Sequence, residues 1–282
     1  MAGLMLDLSV GPVVWDALAW PVNGIVLAGF LTIIIGMFLL RKRIHAFHFI
    51  GTYQTALPTL VYAVVLTVIK GLTRQEVSLT SWPFVLTYVY MAVILGVVTL
   101  KRLSKLRHHC SIQDIAFVLN HFGLFLAMTT ATLGNADMQR LRMITAVGQP
   151  EWRALTQDGT VREMPLTIEL KRFIMETYDD GSPKRFASEL QILTNTGKRP
   201  THGSLLLEEH KTIEATVEVN KPVEVDGWKI YQYGYDTQMG AMSQISILEL
   251  VRDPWLPFVY TGIYMMLCGA VCMFIIGGRK RV

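Results

Sequence analysis

His121 is the one imidazole that the sequence places well inside a long apolar run, residues 115–133. It lies seven residues past Asp114, on the order of 10 Å into the run at roughly 1.5 Å rise per residue. Ionisable groups at membrane depth face a bundle interior or a cavity and tend to mark function. A neutral imidazole there has two chemistries open to it. It can ligate a metal, haem iron included, or it can hydrogen-bond to a neighbouring helix. Spacing alone leaves both open. The other histidines sit in polar settings. His45 and His48 follow Arg41-Lys42-Arg43, and His108 and His109 lie in a basic connector, so all four are expected to be solvated. His202 and His210 fall in a polar loop and are expected to be ordinary surface groups.

Cys268 and Cys272 are spaced i, i+4 and share a helix face. A redox pair is conceivable there. Small residues also suit close helix packing, and Gly262, Gly269 and Ala270 make the same segment small-faced, so packing is the expected role. Cys110 lies in a connector, and residues 134–253 contain no cysteine, so no disulfide framework is readable. No Ser-His-Asp arrangement, phosphate loop or multi-residue metal spacing is present, so no independent catalytic constellation emerges.

These residues must be positioned by a membrane-crossing scaffold. Of 282 residues, 51% are hydrophobic and only 17% charged, and the mean hydropathy is +0.37. Five runs are apolar and long enough to span a bilayer as helices: residues 22–40, 49–69, 83–100, 115–133 and 256–277. None contains Lys, Arg, Asp or Glu. Charge is distributed unevenly. Residues 134–253 hold 18 acidic and 14 basic side chains, and the rest of the chain holds 4 and 12. The predicted organisation is an outer N-terminal segment with spans one to four (1–133), an extracytoplasmic domain (134–253), and a fifth span with a basic tail (254–282). Ten Lys/Arg flank one side of the spans: Arg41, Lys42, Arg43, Lys101, Arg102, Lys105, Arg107, Arg279, Lys280 and Arg281. Only Lys70 and Arg74 flank the other. That bias puts the first set in the cytoplasm, with the N-terminus and the large domain outside and the C-terminus inside. It also accounts for the net +4 without nucleic acid. Asp7, Asp16 and the lack of a basic n-region argue against a cleavable signal peptide. Trp15, Trp20, Trp82 and Trp255 fall at expected outer boundaries, as an interfacial aromatic belt would place them.

Within 134–253 the pattern changes to period-two alternation at 166–173, 188–193, 212–219, 228–233 and 245–251. Turn signals at 157–159, 179–183, 195–197 and 225–227 separate these runs. That spacing predicts an antiparallel β sandwich or barrel. Its expected core includes Leu166, Ile168, Ile192, Ile213, Val217, Ile230 and Tyr233.

One ordered series goes further. A span carries Asn120-His121-Phe122-Gly123-Leu124. Met164 to Phe173 (MPLTIELKRF) and Tyr178 to Phe186 (YDDGSPKRF) follow. Then come Val217 to Pro222 (VEVNKP), Gly227 to Tyr235 (GWKIYQYGY) and Val251 to Trp255 (VRDPW), which leads into the last span. From about residue 49 to 277 the chain resembles the ResB (CcsB) family of System II cytochrome c biogenesis proteins. The resemblance implies a membrane component of a cytochrome c assembly complex that handles haem b transiently. It implies His121 as an axial ligand of haem iron. It implies a tryptophan-rich CcsA-type membrane partner and an apocytochrome c whose thiols receive the haem. On this reading the chain would be one subunit of a haem–cytochrome c synthase rather than an enzyme alone. The basic histidine-bearing connectors could then meet haem propionates. The chain departs from the family in being shorter and in carrying an additional span at 22–40. It has no W-G-x-x-W-x-W-D segment, so a haem-presenting surface of that kind must come from another chain.

Two other classes compete with this reading. One is a membrane-anchored structural or sensory protein whose β domain binds a partner. The other is a b-type electron-transfer protein, which would need facing histidines on two spans where only one is present. The topology is directly testable. Reporter fusions after Arg43, Arg74, Arg107 and Asp158 should read inside, outside, inside and outside, and an inside signal at Asp158 would break the scheme.

Overall fold

The computed structural model describes residues 2–73, 80–107, 110–195 and 210–279. The chain divides into a helical unit, Met1–Asp137 with Pro254–Val282, and a β unit, Met138–Asp253. Among the described residues, five helices are long and apolar enough to cross a membrane. They are α2 (Val22–Leu40), α4 (Tyr53–Leu72), α5 (Trp82–Leu106), α6 (Ile112–Gly134) and α7 (Leu256–Arg279). Two short helices, α1 (Ala2–Val10) and α3 (His45–Ile50), complete the unit.

The second span starts later than expected because the chain breaks at Gly51-Thr52. The Lys101 ammonium reaches across from α5 and donates to His48 O at 3.2 Å and Gly51 O at 3.0 Å. It thereby satisfies carbonyls at the C-terminal end of α3. Thr55 Oγ1 donates to Ile50 O at 2.7 Å from the other side. A Cβ at residue 51 would meet the end of the lysine side chain, which would have to shift and give up this bonding position.

The N-terminal segment is more ordered than a surface strip. The Asp7 carboxylate accepts from Trp82 N at 2.9 Å, capping α5 where Ser81 provides no side-chain cap. Trp82 Nε1 donates to Gly11 O, and Val13 N to Thr80 O, each at 2.9 Å. Asp137, just past α6, accepts from Trp20 N at 2.7 Å, Asn23 Nδ2 at 2.7 Å and Trp255 Nε1 at 2.6 Å. The Trp82 and Trp255 indoles therefore bond to protein rather than serving only as an interfacial belt.

α6 and α7 pack at backbone contact. A Cβ on Gly262 would lie 2.5 Å from Ala127 N, and one on Gly123 would lie 2.6 Å from Gly262 O. Asn120 Nδ2 donates to Met266 O at 3.0 Å across the same seam. Small residues are what allow such approach in lipid, where no hydrophobic force drives helices together. The glycines carry this packing. Cys268 is exposed and Cys272 half-buried, and both are free thiols.

The β unit is a single antiparallel sheet. Its strands are β1 (Gln139–Ala146), β2 (Pro150–Leu155), β3 (Val161–Thr177), β4 (Pro183–Asn195), β5 (His210–Glu218), β6 (Val223–Val225), β7 (Trp228–Tyr235) and β8 (Ile245–Arg252). The order is β5-β4-β3-β2-β1-β8-β7-β6, and the sheet curls into a nearly closed barrel as β5 comes alongside β6 and β7. Of the two expected architectures the barrel is the one formed. β1 pairs along its length with β8, so the entering and leaving strands are neighbours. The turn signal at 157–159 falls between strands, those at 179–183 and 225–227 overlap only a strand's terminal residue, and 225–227 closes with Asp226 at φ 50° and Gly227 at φ 79°. The signal at 195–197 extends outside the described residues.

Leu166, Ile168, Ile192, Val217 and Ile230 are buried in the barrel, and Ile213 packs half-buried against them. Tyr233 does not belong to this set; it is 48% exposed. Strand parity explains the correction. Trp228, Ile230 and Gln232 alternate inward, so Tyr233 must point outward, where its hydroxyl accepts from the Arg142 guanidinium at 2.7 Å. Gln232 is the inward residue, and it is satisfied there. Its Oε1 accepts from Ser188 Oγ at 2.6 Å, and its Nε2 donates to Gly234 O at 2.7 Å and Ser246 Oγ at 2.8 Å. Ile168→Ala should therefore cost about 2–5 kcal/mol. Tyr233→Ala, which removes an exposed pair, should cost about 1 kcal/mol or less. Pulse proteolysis of the membrane-embedded chain across a urea series would rank the two.

Candidate functional site around His121

α6 begins at Ser111, whose hydroxyl accepts from Gln113 N at 3.2 Å. Asp114 sits in the first turn, where the helix dipole favours a carboxylate, and is 3% exposed. Its partners come from the last turns of α5, with Arg102 Nε at 2.5 Å and Lys105 Nζ at 3.9 Å. The Arg102 guanidinium also lies over the Phe117 ring, 4.9 Å from its centroid. Phe117 in turn stacks on the His121 imidazole, with centroids 3.7 Å apart and planes inclined by 15°. Asp114, Phe117 and His121 follow the i, i+3, i+7 spacing of one helix face.

His121 is half-buried, and its Nδ1 lies 3.0 Å from Phe117 O. A carbonyl oxygen can only accept, so that bond requires the proton on Nδ1. The neutral ring then presents the Nε2 lone pair as its acceptor or ligand atom. An N–H to backbone-carbonyl bond of this kind is a common way to orient a metal-binding histidine. Asn120, one position earlier, is committed to the α7 seam. His121 is rotated from it by about 100° and so stands off that seam. The α6–α7 glycines thereby set the direction in which the imidazole leaves the helix.

The other sequence candidates do not join this cluster. His45 and His48 are exposed on α3. His108, His109 and His202 lie outside the described residues, and the His210 side chain is likewise not described. Among the described residues no three His, Cys, Asp or Glu side chains group as a metal site. The aromatic run 231–235 is divided between the two faces of β7, and Tyr235 stacks with Phe173 and Phe186 at 5.0 and 5.2 Å. Sequence reasoning used Asp114 only as a depth marker and missed Phe117 and Arg102. The helical spacing of Asp114, Phe117 and His121 was a usable signal; the approach of Arg102 from α5 was not.

Residues 111–244 match the model of the ResB-like family. Over that stretch the chain is similar to the ResB-like family. The matched stretch holds α6 with His121 and the β unit as far as the residue before β8. The cytochrome c biogenesis protein CcsB of Prochlorococcus marinus subsp. pastoris is 26% identical over 150 residues, which are 53% of this chain and 31% of that protein. A solved cytochrome c haem lyase, CcmF, aligns at 17% identity with a TM-score of 0.35, covering 79% of this chain and 34% of the other. The chain thus spans about a third of the length of each of these relatives.

The ion pair at the start of α6 yields a prediction. Asp114→Asn leaves Arg102 without its carboxylate and should lower the stability of the detergent-solubilised protein by about 1–3 kcal/mol. The double variant Asp114→Leu with Arg102→Met should recover most of it, because apolar replacements remove both desolvated charges together. Thermal unfolding followed by fluorescence would compare the three proteins.

Proposed function

We propose that this ResB-like chain is a membrane component of cytochrome c assembly, in which His121 binds haem iron through Nε2 while haem is passed towards an apocytochrome c. The single observation that carries the reading is the His121 geometry. The ring lies within the family-matched helix, its Nδ1–H is held by Phe117 O, and its Nε2 is left as the ligand atom. The residues fit a haem iron at one axial position. When bound, haem supplies the iron and the vinyl groups that react with cytochrome thiols. This chain's residues supply orientation. Phe117 holds the imidazole plane and the tautomer, and the Asn120 bond and glycine seam hold the helix. Arg102 and Lys105 place positive charge at the same end of α6, where anionic propionates could be met. A second axial ligand and the thiol-presenting surface are assigned to a tryptophan-rich CcsA-type partner. The proposed orientation in the cytoplasmic membrane puts the β unit outside and the basic ends of α2 and α5 inside, following the Lys/Arg bias.

His121→Ala tests this. Co-expressed with the partner, the variant should insert normally and lose haem absorbance and cytochrome c yield. Added imidazole should restore part of both, because a free ligand can enter the vacated position. A haem-replete His121→Ala complex with wild-type cytochrome yield would reject the ligand role. If neither protein bound haem and cytochrome maturation did not require the chain, a structural or sensory anchor would be the better description.

A further inference from the structure

A cavity of about 750 Å³ lies within the helical unit between α2, α5 and α6, covered by the segment that links α1 to α2. Phe30 of α2 and Val85 and Val89 of α5 form its body, and Trp15, Leu18 and Trp82 stand around the cover. Its volume falls within the roughly 300–1,000 Å³ typical of ligand sites. None of the described residues that line it is charged, and none is His, Cys or Met. Two of the hydroxyls that line it are already engaged. Thr129 Oγ1 donates to Phe125 O at 2.7 Å, and the Tyr88 hydroxyl donates to Met128 O. Apart from Asn135, Thr80 and Thr132, the wall therefore offers methyl groups and ring faces.

That chemistry selects the occupant. An anionic ligand would be desolvated without a counter-charge, and an iron porphyrin would find neither an axial ligand nor a cation for its propionates. Water would find few partners, and apolar cavities of this kind stay dry or take apolar guests. The enclosing helices are apolar enough to cross a membrane, so the abundant apolar species beside them is lipid. The cover is a built feature, tied down by Asp7 to Trp82 N, by Trp82 Nε1 to Gly11 O and by Val13 N to Thr80 O. We infer that this cavity binds one acyl chain of a membrane phospholipid, with the N-terminal segment closing over it. The cover, α2 and α5 all precede residue 111, so most of the site is built outside the family-matched stretch. The inference stands apart from the haem reading.

The test uses the full chain, extracted in mild detergent, washed, and analysed by native mass spectrometry for retained phospholipid. The wild type should keep a lipid. Val85→Trp and Thr132→Trp, which fill the cavity, should each lower retention by about tenfold. Ile115→Trp, on the exposed side of α6, should not. A second readout needs no filling variant. A phosphatidylglycerol brominated along its acyl chain, titrated into delipidated wild type in detergent, should quench tryptophan fluorescence saturably. The saturable part should vanish in Trp15→Phe/Trp82→Phe, while Trp20 and Trp255 of the helical unit supply only non-saturable quenching and Trp152 and Trp228 of the β unit a constant background. Equal retention in folded filling variants and wild type overturns the proposal, as does quenching without saturation in the wild type.

Discussion

Three glycines, Gly123, Gly262 and Gly269, let α6 and α7 meet backbone to backbone, and the direction of every other side chain on α6 follows from that contact. In a hydrocarbon medium the attraction between helices comes from close packing and a few polar bonds rather than from hydrophobic burial. A seam that tolerates no Cβ has little freedom to rotate. Asn120 adds a directional bond to Met266 O, which sets the rotation further. With one face of α6 so committed, the face bearing Asp114, Phe117 and His121 has to lie elsewhere, and the Arg102 side chain meets it from α5.

α6 is also tied at both ends by carboxylates, and the two work differently. Asp114 is nearly buried and is answered by cations, so its removal would leave a charge behind. Asp137 is answered by three neutral donors, from Trp20 N, from Asn23 of α2 and from Trp255 beside α7. It therefore fastens α2 to the family-matched helix through directional bonds. Asn23 takes part twice, because its Nδ2 also donates to Leu133 O at 3.1 Å. A helix held at two ends and along one seam is a rigid mount for a single imidazole, which is what geometric control of a binding atom requires.

Much of this was legible in the sequence where one local rule acts alone. Span positions followed from runs of apolar residues without charge, and β3, β4, β5, β7 and β8 followed from alternation between Gly-containing turns, whereas β1, β2 and the three-residue β6 were not read. Legibility failed where two rules competed. Tyr233 looks like a core aromatic by type, but parity with Trp228 and Ile230 sends it outward and sends Gln232 inward. Gln232 is tolerable inside only because Ser188 and Ser246 arrive from β4 and β8, and those partners are 44 and 14 residues away in sequence. The same limit hid Arg102 beside Phe117, and it hid the cavity, whose walls come from α2, α5, α6 and the N-terminal segment. His121 was visible as an isolated imidazole at depth. Its tautomer was not, because that depends on the approach of Phe117 O.

On the haem-handling reading proposed above, the form of the His121 site suits cargo better than a resident cofactor. The imidazole leans on a neutral backbone carbonyl. A carboxylate in that position would make the ring more basic and the iron bond firmer. Among the described residues α6 supplies one imidazole at depth, and the second ligand is assigned to the proposed partner. A ligand set divided between two proteins can be taken apart by their relative motion, whereas two histidines on one rigid bundle would have to break a bond against fixed geometry. The Phe117 stack and the Asp114–Arg102 pair keep the ring in place while the position opposite is empty, so the site need not reorganise each time it is filled. Rigid mounting and a single shared bond are compatible demands, and the glycine seam that orients α6 meets the first without adding to the second.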